Sequence, residues 1–350
     1  MVFKKLKSSF DHLADKLMPA RDIHKSPKIL YFYIMDLKKL SKRLENKLKE
    51  CTICAHSCKV DRLSGQLGYC RAPYVPVLSS AMPHHGEEPP ISGTGGSGTL
   101  FFSYCNMKCV YCQNYQISQM EEGNEKNTKK LSDIMLKLQK MGCHNINLVS
   151  PTAWVPQIVS ALAIAREKGL NLPLVYNTGG YDDPEIIRML DGVIDIYMPD
   201  MRYSDDRMAY KFSKVKEYTK YNRKSVTEMY RQAGGLKVDK NGIATKGLLI
   251  RLLVLPDDVG GLKDTLDFIK QNLSTDVYLS IMAQYHPVYK AAGYAQINRS
   301  ITSSEYLEVV DHAQKLGFEW GYIQDPGFLA DDPYLPDFRR DDVFRDHEGI

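Results

Sequence analysis

The stretch Thr99-Leu-Phe-Phe-Ser-Tyr-Cys105-Asn-Met-Lys-Cys109-Val-Tyr-Cys112 joins a short apolar run to a loop carrying three thiols. The run from Thr99 to Ser103 follows the glycine-rich turn Gly93 to Gly98 and has the length of one buried strand. Beyond it, helical and strand patterns alternate. Leu131 to Met141 is spaced as a helix, Asn145 to Val149 as a strand, Val155 to Glu167 as a helix and Leu172 to Tyr176 as a strand. Pro184 to Leu190 reads as helix, Val193 to Met198 as strand, Ser225 to Gln232 as helix and Leu248 to Leu255 as strand. Leu262 to Gln271 (helix), Val277 to Met282 (strand) and Ser304 to Leu316 (helix) complete six β units, with Glu319 to Ile323 as a candidate further strand. Strands alternating with helices imply right-handed crossovers and a parallel sheet. A closed eightfold barrel needs about 250 residues, so the expected fold is α/β, a partial (β/α)6 TIM-type barrel.

Upstream, the chain changes character. Residues 1–50 read as a basic helical arm. Residues 51–95 carry four cysteines and the prolines Pro73, Pro76, Pro83, Pro89 and Pro90, with little helical periodicity, and read as an irregular, metal-stapled segment. Residues 96–325 are assigned to the barrel and 326–350 to a C-terminal tail.

The chain has 350 residues, 43% hydrophobic and 25% charged. That composition is globular and excludes collagen-like, mucin-like and coiled-coil chains. The apolar runs Leu30 to Met35 and Leu252 to Pro256 fall far below the roughly 20 residues that span a bilayer. The start, Met1-Val-Phe-Lys-Lys5, has no apolar core of a secretory signal, so a cytoplasmic protein without a membrane segment is expected. The net charge of +4 is unevenly spread: residues 1–50 hold 13 Lys/Arg against 6 Asp/Glu, leaving 33 against 36 elsewhere. A basic arm can touch nucleic acid or an acidic partner, or be a helix, Asp36 to Glu50, with a solvated charged face.

Seven of the eight cysteines lie between positions 51 and 112. Without a secretory signal, such clustering points to metal ligation before disulfides. Cys105, Cys109 and Cys112 suit an iron–sulfur cluster or zinc, and three ligands leave one metal position open. Cys51, Cys54, Cys58 and Cys70 supply four thiolates, enough to close a tetrahedral zinc or complete a second [4Fe–4S] cluster. Cys143, ahead of a buried strand, reads as a packed core residue.

With its C-x-x-x-C-x-x-C loop after the first strand, the chain resembles the radical S-adenosylmethionine (SAM) superfamily. Within that superfamily, Ser92 to Asn114, Asn145 to Thr152, Val175 to Tyr181, Ile196 to Asp200 and Gln284 to Pro287 resemble the pyruvate formate-lyase-activating-enzyme-like group, whose members are largely uncharacterised. The likeness spans about residues 50–325. It implies that Cys105, Cys109 and Cys112 hold a [4Fe–4S] cluster that binds SAM and, once reduced, cleaves it to a 5′-deoxyadenosyl radical that takes hydrogen from a substrate. A flavodoxin- or ferredoxin-type electron donor and a protein substrate, a glycyl radical enzyme, are the implied partners.

The same resemblance assigns SAM contacts. Tyr111 occupies the aromatic position beside adenine. Ser150 and Thr152 stand where the superfamily has a Gly-Gly-Glu turn, and can replace it only through their hydroxyls. Asn177, Thr178 and Asp200 align with ligands of a monovalent cation, Asn replacing an Asp. Arg202 and Arg251 are placed at SAM, as is His286. A charge such as Arg251 inside an apolar strand must in any case be paired. Other readings are radical modification of another protein, a peptide or a small molecule, and, outside enzymes, a two-metal electron carrier or a nucleic-acid-binding module. The net negative charge beyond residue 50 opposes the last.

Overall fold

The computed structural model describes residues 27–324, 335–340 and 342–344. Residues 1–26 of the arm and most of the tail assignment lie outside it. Its centre is a twisted sheet in which β2 (Ser97–Phe102), β3 (Ile146–Val149), β4 (Leu174–Thr178), β5 (Ile196–Pro199), β6 (Ala244–Leu253), β7 (Tyr278–Met282) and β8 (Gly321–Ile323) run parallel in that order. This is the expected partial barrel, with the candidate last strand formed. β2 to β5 are buried along their whole lengths, because helices cover one face and the barrel lumen lies on the other.

The helices confirm the 3.6-residue pattern and extend it. α1 (Pro27–Asn46), α2 (Thr128–Lys140), α3 (Val155–Glu167), α4 (Pro184–Met189), α5 (Asp206–Ser213), α6 (Tyr218–Ala233), α7 (Leu262–Asn272) and α8 (Ser303–Leu316) line the outside. α2 buries Leu131, Met135 and Leu138 and starts where Asn127 Oδ1 accepts from the Lys130 amide at 2.9 Å. α8 starts with a capping box of Thr302 and Glu305 and ends at Gly317 with φ of 88°. α6 is twice its expected length, since its first turns are polar outside and bury only Tyr218 and Asn222.

The basic arm has two faces. Leu37, Leu40, Leu44 and, just beyond the helix, Leu48 are buried, with α1 packed on α3, while Lys38 and Lys39 face water. Lys38 Nζ reaches Glu167 at 3.5 Å.

Within the cysteine-rich segment the structure corrects one expectation. Val77–His84 is not irregular: it forms β1, antiparallel to β2, with a register irregularity between Leu78 and Ser80. Its own residues, with Ser79, Ser80 and Pro83, show no alternation; pairing with a fully buried neighbour makes it a strand.

Arg62 fastens that segment to the barrel. Its guanidinium, 1% exposed, donates to the carbonyls of Ala153 at 2.9 Å and Pro73 at 2.7 Å and lies 5.6 Å from the Trp154 ring centre. Arg62→Met leaves two carbonyls without a donor, and is expected to lower unfolding stability by roughly 3 kcal/mol in urea titrations.

Candidate functional site

The loop after β2 begins at Tyr104, a non-glycine residue with φ of 64°, and Ser150, directly after β3, has φ of 57°. Such left-handed residues at strand ends carry backbone strain of the sort that clusters at working sites. Cys105, Cys109 and Cys112 follow at the C-terminal ends of the strands, the face on which barrel chemistry collects.

Each thiol is met by a donor or a hydroxyl. The Met107 amide points at Cys105 Sγ (3.4 Å), Arg202 Nη1 and Ser213 Oγ donate to Cys109 Sγ (3.1 and 3.0 Å), and Ser118 Oγ lies 3.1 Å from Cys112 Sγ. Burial, and next the neighbouring Cys109, push the Cys105 thiol up to about 11 and the Cys112 thiol up to about 12. Without a cation these groups keep their protons; a metal centre removes them. Three soft thiols facing one another, with a guanidinium aimed at one sulfur, fit an iron–sulfur cluster. Among the described residues no three His, Cys, Asp or Glu side chains converge as ligands of a single ion. The thiolates of a cubane bind separate irons and need no such convergence.

Arg202 continues inward. It pairs with Asp200, whose other oxygen accepts from Arg251 Nε at 2.9 Å, and Arg251 Nη1 lies 3.5 Å from Glu87. Burial alone would raise the Asp200 carboxyl, but Arg251 and Arg202 hold it below the usual carboxylate range. Glu87 Oε1 in turn accepts from Asn147 (2.9 Å) and Asn177 (3.4 Å). A continuous polar ladder thus runs from Cys109 into the lumen.

The structure therefore brings Asp200, Arg202, Arg251 and Asn177 together. Thr152 and Thr178 belong to a different set: both hydroxyls donate to Asp182 at 2.8 Å, joined by Tyr176 OH at 2.9 Å. Burial raises the Asp182 carboxyl even against those three donors. Tyr111 is buried, its hydroxyl 2.6 Å from that of Tyr203 and its ring edge-on to Tyr285. His286 is half-buried in the loop after β7.

The first cysteine group abuts the second. Cys54 forms a β-bridge with Asp182, and His56, its ring stacked on Tyr69, contacts the Asn106 carbonyl at 2.7 Å, inside the C-x-x-x-C loop. The Cys54 thiol is pushed well up, first by burial and then by Cys70, with Cys51 and Cys58 also adding, so the other three cysteines lie near it. The local backbone is tight: Ser57, Lys59 and Arg71 have φ of 43°, 60° and 59°. Cys143 is buried in the core, 3% exposed.

Glu87, Glu88 and Asp182 were missed in the sequence. An acidic pair before Pro89-Pro90 looks like an exposed turn, and nothing local marks it as a lumen plug.

Comparison with known proteins adds four findings. A family model described as the Radical SAM superfamily matches residues 99–269. An uncharacterised protein of Methanocaldococcus jannaschii is 31% identical over 288 residues, covering 79% of this chain and 78% of that protein. A second uncharacterised protein of the same organism is 23% identical over 316 residues, covering 84% and 86%. The solved structure of Streptococcus suis SuiB bound to S-adenosylmethionine has a TM-score of 0.44 at 14% identity, over 63% of this chain and 48% of that one, so this chain spans about half its length.

Asp200→Asn tests the ladder. Removing the anion leaves Arg202 without its carboxylate and Arg251 with Glu87 alone, at an expected cost of roughly 3 kcal/mol. In the parent protein the folded carboxyl lies below its unfolded value of about 3.9, so the clamp's stabilisation is full above that value. It is lost as pH falls below about 4, and unfolding curves of the variant should lack this part of the acid dependence.

Proposed function

The chain belongs to the radical SAM superfamily, and on that premise we propose that it is an enzyme that generates a substrate radical from S-adenosylmethionine at Cys105, Cys109 and Cys112. The family's cofactors are a [4Fe–4S] cluster and SAM, which when bound supply one-electron cleavage to methionine and a 5′-deoxyadenosyl radical able to abstract hydrogen. The observation that carries the reading is the Arg202 guanidinium shared between Cys109 Sγ and Asp200. It sets a fixed positive charge beside a sulfur that must be anionic to hold iron.

The chain's own residues supply position and exclusion. Asp200 holds Arg202 in place, Tyr111, Tyr203 and Tyr285 exclude water beside the thiol loop, and the 51–76 segment braces that loop through His56 and Asn106. Cys51, Cys54, Cys58 and Cys70 hold either an auxiliary [4Fe–4S] cluster or a zinc ion. Either metal would rigidify the brace. We read Thr152 and Thr178 as organisers of Asp182, and Ser150 and His286 as the remaining groups at the strand ends free to meet SAM. A monovalent cation near Asp200 would have to share a carboxylate already taken by two arginines. The finer assignment, activation of a glycyl radical enzyme with a flavodoxin- or ferredoxin-type donor, rests on the likeness of Ser92 to Asn114 and four further stretches to the activating-enzyme group. Among the described residues, no helix is long and apolar enough to cross a membrane.

Anaerobically reconstituted protein reduced with dithionite should convert SAM to 5′-deoxyadenosine and methionine, and Cys109→Ala should abolish this. No cleavage by a fully loaded, reducible protein would refute the proposal. Metal analysis of the Cys105/Cys109/Cys112 triple-alanine variant separates the two readings of the first group. About four residual irons per chain indicate the auxiliary cluster, and about one zinc the closed tetrahedral site.

A further inference from the structure

The segment between β1 and β2 turns into the barrel from its N-terminal end. Ile91 packs among Val175, Ile196, Met198, Ala244 and Leu249, forming an apolar floor, while Glu87 reaches Asn147, Asn177 and Arg251 above it. Between this plug and strands β6 to β8 lies a cavity of about 410 Å³, within the range of small-molecule sites. Its wall includes Glu88, Ser280, Arg251, Gln284 and Gln324.

Two of these side chains are unsatisfied. Glu88 is 6% exposed and its Oε2 has no hydrogen-bond partner; Ser280, 1% exposed, has none on Oγ. The two side chains are neighbours: burial, the largest effect, raises the Glu88 carboxyl above its usual range, and the attraction of Arg251 and the Ser280 hydroxyl offset this only in part. A buried carboxyl with so little support costs several kcal/mol to ionise and is rarely kept for structure alone. Charge tells the same story. Glu87, Glu88 and Asp200 face Arg251 and Arg202, three carboxylates against two guanidiniums, and Arg251 is already shared between Asp200 and Glu87. With all three carboxyls ionised one positive charge is lacking at Glu88, and an entering cation would supply it. Gln284 and Gln324 lie further along the same wall, the Gln284 oxygen accepting from Gln324 at 3.1 Å and the Gln324 oxygen from the Ala283 amide at 2.6 Å. The two oxygens of a carboxylate and one hydroxyl together match the three N–H donors of one ammonium.

We propose that the cavity binds the primary ammonium of an aliphatic substrate, held by Glu88 and Ser280. The cavity stands beside the thiol loop: Gln113, next to Cys112, donates to the Gln284 carbonyl at 2.9 Å. An ammonium at Glu88 therefore anchors the far end of a substrate whose chain extends toward the strand ends. This deepens the radical-enzyme reading and rests on it for the word substrate, but the binding site stands on the cavity alone.

The test is calorimetric titration of the metal-loaded protein with n-butylammonium, using n-butanol as the neutral control. Binding of the ammonium but not the alcohol is expected, weakened about 10-fold or more in Glu88→Gln and several-fold in Ser280→Ala. Without ligand, the melting temperature of Glu88→Gln should equal or exceed that of the parent, because a buried carboxyl that is costly to ionise gives way to a neutral amide of the same shape. Equal affinity of parent and Glu88→Gln, equal binding of butanol, or a marked fall in melting temperature would overturn the proposal. So would displacement of the probe by SAM, which itself carries an ammonium. Nα-acetyl-lysine methylamide is the second probe: tighter binding than n-butylammonium assigns the site to a lysyl side chain, weaker binding to a free amine. SAM cleavage without amine binding defeats only the cavity proposal, and amine binding without SAM cleavage defeats only the radical-enzyme reading.

Discussion

Asp200 is a buried anion, 4% exposed, between two arginines from neighbouring strands' ends, and much of the site is arranged around that clamp. One arginine faces outward to the Cys109 sulfur, the other inward to Glu87. A single carboxylate thus couples the position of the thiol loop to that of the lumen plug. Such an arrangement is costly to desolvate and costly to break, so it specifies geometry more than it adds stability.

The brace from residues 51–76 works on the other side of the same loop. Arg62 joins it to Trp154 and Ala153, Cys54 to Asp182, and His56 to Asn106. Asp182 collects Thr152, Tyr176 and Thr178 from successive strand ends. Polar groups that would otherwise splay the tops of β3 and β4 are thereby paired. The thiol loop is held from below by strands, from inside by the arginine ladder and from outside by the brace. Burial raises the Cys105 and Cys112 thiols, and a metal centre is what makes those sulfurs into ligands.

Particular residues show what was legible beforehand. The period of Leu131, Met135 and Leu138 marked α2, and the apolar runs marked six of the seven parallel strands, because burial on both faces leaves a purely local signature. Cysteine spacing marked both thiol groups, and the lone charge in β6 marked Arg251. β1 escaped, since its residues become a strand only by pairing with β2. α5 also escaped, a short helix flanked by charged turns.

From the sequence alone came the alternation of strands and helices, the three-thiol loop after the first parallel strand, and the four-thiol group ahead of it, for periodicity and spacing are properties of neighbours along the chain. The tertiary structure alone decided that Thr152 and Thr178 turn to Asp182, that Arg202 and Arg251 share Asp200, and that Glu87 and Glu88 lie inside the barrel. Those outcomes depend on which strand ends meet, and a buried charge declares its role only through the partners that folding brings within hydrogen-bonding distance.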